Sequence, residues 1–322
     1  MNTTQSSRGG FWKIARMALP ILISLVSCTL LAIYASRHRE AWHTVNVSAP
    51  RLLVMCGVAL IASLVTAGPI FSITTNRVGR NVGIVESTCL AVLGTAINAI
   101  VPLHGGAAAR GLYLKRFHNL DLTDFAATFL GYNILRLLVA AIAAFAASLW
   151  LLAFNEASGN GLTACLAISG CCSAGALALC LFRPEWMNRI SPAKFHGFIE
   201  QFHKGWTELM RGSMFFASTL ALVALQILFE CVVFWAAWGA IGLSLSASAV
   251  VLVTCLGILT ALTGLTPNGL GLVELVSVAV GTVVAIEPTH GIAAGLLIRS
   301  ILMGTLVVGT PFCLMTLYMI RR

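Results

Sequence analysis

Five charged residues lie within or at the edge of long apolar runs: Arg110, Arg136, Glu230, Glu274 and Arg299. A charge at the centre of a bilayer costs at least ~2.5 kcal/mol on insertion scales. Five unpaired would cost more than ~12 kcal/mol, comparable to the whole stability of a domain. The five must therefore face one another or a wet cavity. Mutual pairing would lock helices together; a polar cavity would accept a charged group, and partly paired charges can also line one. Tyr132 and Asn133 precede Arg136 by four and three residues, and Gln226 precedes Glu230 by four, so each set shares a helix face. Gly105-Gly106, just after Pro102, opens a helix whose free N–H groups and nearby Arg110 suit an anion such as a phosphate. Gly269-Leu270-Gly271 opens a matching helix after Pro267-Asn268, but its charge is Glu274. One break thus favours an anion and the other a cation or a proton. His104 lies in the first turn, either as a polar turn residue or as a group that titrates near neutral pH.

Other chemistries find little support. No His/Asp/Glu cluster has metal-ligand spacing, and no cofactor is expected. The chain lacks a G-x-x-x-x-G-K-[ST] phosphate loop and a G-x-S-x-G elbow, which disfavours ATP-driven transport by the chain itself. The ten cysteines all fall inside apolar runs and read as small apolar helix residues.

The elements that hold these residues are helices in lipid. The chain is 58% hydrophobic and 10% charged, against about one quarter charged in soluble domains, with mean hydropathy +0.92. A transmembrane barrel would need alternating strands of ~10 residues, and none is visible. The net charge of +9 is no nucleic-acid signal, because the basic residues sit in connections between apolar runs, where they set topology.

The fold expected is an all-α polytopic membrane protein. Residues 1–16 form a basic cytoplasmic N-terminus and residues 17–320 one transmembrane domain. Its full spans are roughly Met17–Ala35, Leu52–Ile73, a long run to Phe154 that follows the polar segment His118–Asp124, Leu162–Phe182, Ser213–Ile241 and Gly291–Ile320. Met17–Ala35 is too long for a signal-peptide core and reads as a span that stays. Trp42 is an interfacial anchor, Asp121 and Asp124 offer an N-cap, and the polar stretch 183–212 is a cytoplasmic loop, amphipathic in its second half. About six full spans are joined by two Gly/Pro-broken hairpins, Ser87–Arg116 and Ala249–Ile286. If the first hairpin returns to its own side, fifteen Lys/Arg lie inside and only Arg37, Arg39 and Arg51 outside. If it crosses, the count becomes five inside and thirteen outside. The positive-inside rule selects the return, so the hairpins enter from opposite faces and both termini are cytoplasmic. The intervals Pro102 to Arg136 and Pro267 to Arg299 are 34 and 32 residues, which admits an inverted repeat with a site between its halves.

The two breaks also carry a resemblance. Asn98-x-x-x-Pro102-x-x-Gly105-Gly106-x-x-x-Arg110-x-x-x-Leu114, with Arg136 on the next span, resembles the flippase-like membrane domain of lysylphosphatidylglycerol synthases and their stand-alone relatives. So does Pro267-Asn268-Gly269-Leu270-Gly271-x-x-Glu274, with Arg299 on the last span. The resemblance covers about Met17 to Ile320. It implies a bacterial inner-membrane protein that moves lipid between leaflets or assists that movement. Relatives are associated with aminoacyl-phospholipids, polyprenyl-linked sugars and hopanoids. Where relatives often have an acidic residue shortly after the first glycine turn, this chain has Ala107–Ala109. It ends at Arg322 with no acyltransferase domain following, so aminoacyl transfer is not expected. The expected activity is lipid translocation, not catalysis. Gly105, Gly106, Arg110, Tyr132, Arg136, Glu230, Asn268, Glu274 and Arg299 are the candidate substrate contacts, and a membrane lipid is the partner. Two other readings stand beside it: a membrane-embedded enzyme on a lipid-linked substrate, and a non-catalytic partner of a lipid-biosynthesis complex such as that for hopanoids. The sequence does not specify an oligomeric state.

Overall fold

A computed structural model describes residues 49–77, 81–101, 103–154, 160–181 and 212–322, with isolated positions 196, 200 and 207; the side chains at 160 and 178–181 are not among those described. The basic N-terminus, the span Met17–Ala35, Trp42, Pro102 and nearly all of the loop 183–212 lie outside the described residues.

Nine α-helices follow among the described residues: α1 Pro50–Asn76, α2 Ile84–Asn98, α3 Gly105–His118, α4 Leu122–Ala153, α5 Asn160–Leu181, α6 Ser213–Ala240, α7 Ala247–Ala261, α8 Leu272–Val283 and α9 Pro288–Ile320. A single 3-10 turn, Pro267–Gly269, precedes α8. There is no strand among these residues. Four helices, α1, α4, α6 and α9, are long and apolar enough to cross a membrane.

Side-chain contacts sort the helix ends into two poles. At the first pole, Asn76 Oδ1 accepts the Val82 N–H at 2.7 Å, joining the end of α1 to the start of α2. Glu86 of α2 accepts from Tyr113 and His118 of α3. Arg321, just past α9, lies over the Tyr113 ring, and Arg77 lies over Phe215 near the start of α6. At the second pole, Leu52 of α1 packs on Gly239 of α6, and Val283 of α8 packs on Gly161 of α5. The long helices thus run from pole to pole. The α2–α3 hairpin has its base at the first pole and the α7–α8 hairpin at the second.

Each hairpin arm is a short helix. The fifteen residues of α2 rise about 22 Å at 1.5 Å each, short of the ~30 Å hydrocarbon thickness. The tips meet instead. Leu103 N–H donates to Gly264 O at 2.9 Å, and His104 Nε2 lies 3.3 Å from Leu262 O. Both tips turn through left-handed residues: Leu103 and His104 in the first, Asn268 in the second. Non-glycine residues in this region are strained, and such strain concentrates at functional sites.

Small residues let the helices come close. On α4, Ala140, Ala141 and Ala144 are fully buried in the cluster that also holds Val253 of α7 and Trp238 of α6. The caps differ from expectation in one place. Asp121 occupies the N-cap of α4, but its side chain makes no capping bond. Ser246 does cap α7, accepting from Ala249 N–H at 3.4 Å.

Candidate functional site

A cavity of about 320 Å³ opens where the hairpin tips meet α1, α4, α6 and α9. That is far above the ~10–15 Å³ that admits one water. Its walls mix apolar side chains such as Leu64, Phe71 and Leu302 with the intramembrane charges.

Seven of the nine sequence candidates line it: Arg110, Tyr132, Arg136, Glu230, Asn268, Glu274 and Arg299. The charges resolve unequally. Arg136 Nη2 of α4 meets Glu230 Oε1 of α6 at 2.5 Å, and Ser63 Oγ of α1 donates to the same oxygen at 3.2 Å. Beside them Tyr132 O–H donates to Gln226 Oε1 at 2.9 Å, so both predicted helix faces meet across one α4–α6 seam. Arg299 Nε of α9 donates to Glu274 Oε1 at 2.7 Å, while Glu274 Oε2 accepts Gly271 N–H at 2.8 Å. Glu274 is only 1% exposed, against 20% for the side chain of Glu230. The second acid is therefore a structural cap and pair, and the first faces the cavity.

Arg110 stands apart. No carboxylate pairs with it among the described residues. Its Nη2 donates to Ala91 O at 3.2 Å, and its buried Nε has no partner. The Phe71 ring centre lies 5.8 Å from its Cζ. Gly94 is the reason it fits, since a Cβ there would collide with the guanidinium.

Gly105 and Gly106 do not line the cavity, and the expected row of free N–H groups is not there. Gly106 N–H donates to Asn98 Oδ1 at 2.7 Å, and Ala107 N–H donates to His104 O at 2.8 Å. Their role is packing: a Cβ on Gly106 would overlap the Gly94 carbonyl oxygen, so this glycine lets α2 and α3 cross. An unmet helix terminus in apolar surroundings is costly, and Asn98 meets part of that need from within the hairpin.

Asn98, noted in the sequence only as part of the first break's motif, and His104, noted as a turn residue, both line the cavity. Sequence reasoning passed over one contributor. Glu86, 8% exposed, gathers Tyr113, His118 and Arg321 at the first pole. The signal was present: an acid that opens an apolar run needs partners as much as one in the middle. The two arginines that follow the breaks pair differently. Arg299 meets the acid of its own hairpin, whereas Arg136 meets Glu230 on α6.

Helices of membrane-spanning length around a cavity lined by both apolar and charged side chains, with two broken hairpins, describe a multi-pass helical membrane protein. The chain matches the lysylphosphatidylglycerol synthase transmembrane region over residues 17–309, and it belongs to that family. Membership relates it to lipid modification or transport. A search of curated proteins finds no match.

Proposed function

We propose that this chain is a lipid translocase-like transporter that takes a polar or anionic lipid headgroup into the cavity and passes it between leaflets. One observation carries the reading: Arg110 is a cation lining a mixed, largely apolar cavity without an acidic partner among the described residues, while the other four charges there pair with each other. A buried cation without a counter-charge is costly, and an incoming anion removes that cost. Arg110 engages the headgroup, and Glu230–Arg136 and the neighbouring Tyr132–Gln226 pair line its path. The excess of Lys/Arg on one side supports cytoplasmic termini, and the family implies a bacterial inner-membrane location.

The test is leaflet exchange of fluorescent phospholipids in vesicles reconstituted with the purified chain. Wild-type protein is expected to accelerate exchange, and Arg110→Ala to lose at least tenfold of that rate. Wild-type exchange by Arg110→Ala would end the reading. A lipid product of altered mass would point to an enzyme instead. Exchange only in the presence of other proteins would point to a partner of a lipid-biosynthesis complex, as for hopanoids.

A further inference from the structure

We infer that the headgroup this cavity selects carries a single negative charge, as a phosphodiester does, and is neither a dianionic phosphomonoester nor a cationic aminoacyl ester. This rests on the translocase reading and narrows its substrate class. Among the described residues three arginines and two glutamates line the cavity, and these sum to +1. The two pairs are each neutral and in direct contact. The surplus sits on Arg110 alone. The walls add neutral donors. Asn98 accepts Gly106 N–H through Oδ1, and Gln226 accepts Tyr132 O–H through Oε1, so each amide nitrogen is left to donate. One cation among neutral donors balances one charge and hydrogen-bonds the remaining oxygens. A second negative charge would have no counter-ion in a low-dielectric site, and a net positive headgroup would meet the guanidinium.

The charge count can be reset one unit at a time. Glu230→Gln raises it to +2, Arg136→Gln lowers it to zero, and the double substitution returns it to +1. Lipid retention is measured by native mass spectrometry of the full chain at pH 8, where a phosphomonoester carries about two charges. The probes are phosphatidylglycerol, phosphatidic acid, lysyl-phosphatidylglycerol and glycerophosphoglycerol; the last carries the same single charge as phosphatidylglycerol without acyl chains and separates a lipid headgroup from a free phosphodiester.

Wild-type protein should retain phosphatidylglycerol at least tenfold better than phosphatidic acid or the lysyl ester. Glu230→Gln should shift preference toward phosphatidic acid, Arg136→Gln should abolish the preference for anions, and the double variant should restore the wild-type order. Circular dichroism of each variant shows whether it folds, and the double variant carries the test if a single one does not. A wild-type preference for the dianion or the cation overturns the inference, as does a preference that ignores the charge count. Tightest binding of glycerophosphoglycerol would make the ligand a free phosphodiester and overturn the assignment of a lipid headgroup. If Arg110-dependent exchange persists while the single-charge preference fails, only this inference falls. If Arg110→Ala exchanges lipid normally, the translocase reading falls with it.

Discussion

The two hairpins have the same outline and opposite chemistry. Each runs a short helix inward, turns through left-handed residues and opens a second helix at glycine. In the α7–α8 hairpin the charge after the turn is consumed: Glu274 caps Gly271 and pairs with Arg299. In the α2–α3 hairpin the charge after the turn is left over: Asn98 meets Gly106 N–H, and Arg110 has only one backbone carbonyl. A neutral amide serves where the second hairpin uses an acid. The difference shows how one architecture can make one break a brace and the other a binding element.

The sharpest way to break this comparison is to delete both charges and compare what is lost. Glu274→Ala strands Arg299 in an apolar setting and unties Gly271, so the expected cost is about 3–5 kcal/mol. Arg110→Ala removes a single hydrogen bond, about 1 kcal/mol, while lipid exchange collapses. Unfolding in detergent, monitored by circular dichroism, reads the first, and vesicle exchange reads the second. Equal stabilities for the two variants would erase the distinction between brace and binder.

A smaller effect separates the glycines of the first hairpin. Gly106→Ala drives a Cβ into the Gly94 carbonyl, and backbone cannot step aside, so about 1–3 kcal/mol of overpacking is expected. Gly94→Ala meets only the far end of Arg110, which can swing away. That variant should stay as stable as wild type to within ~1 kcal/mol yet exchange lipid more slowly. The reverse order of stabilities would mean that the crossing of α2 and α3 is not what Gly106 provides.

The contact between the hairpins is weaker again. Gly264 has φ +63° and lies against the His104 ring. Gly264→Ala adds left-handed strain of about 1–2 kcal/mol and displaces that ring. Hydrogen exchange at the Leu103 amide, which donates to Gly264 O, should quicken, while amides deep in α4 stay protected. Unchanged exchange at Leu103 would mean the tips are held by something other than this contact.

Much of this was legible in the sequence because lipid narrows the choices. Hydropathy and Gly/Pro breaks place the helices to within a few residues, as with Leu122–Ala153 against a run expected to be capped within Asp121–Asp124 and to end at Phe154. The i, i+4 faces of Tyr132–Arg136 and Gln226–Glu230 are local, and they meet as their spacing suggests. Partner choice was not legible. Nothing local to Arg136 tells that Glu230, 94 residues away, satisfies it while Glu274 goes to Arg299. Gly105-Gly106 read as an open anion site because a helix start leaves N–H groups unmet. That Asn98, eight residues earlier, reaches back to Gly106 depends on how tightly the hairpin closes.

The smallest expected effect tests whether the first hairpin is also held at its base. Glu86 accepts Tyr113 O–H at 2.7 Å and His118 Nε2 at 3.0 Å, and the Arg321 guanidinium comes within 3.7 Å. Arg321 Nε also donates to Tyr113 O–H at 3.2 Å, tying the end of α9 to the hairpin. Arg321 is partly exposed, so solvent screens it and Arg321→Ala should cost under ~1 kcal/mol. A double-mutant cycle with Glu86→Gln isolates the pair. A coupling of a few tenths of a kcal/mol, with faster hydrogen exchange confined to the last turn of α9, fits a tether at the margin. A coupling above ~2 kcal/mol would make the base a brace as strong as Glu274–Arg299. The hairpins would then differ only at their tips, where one spends its charge and the other keeps it.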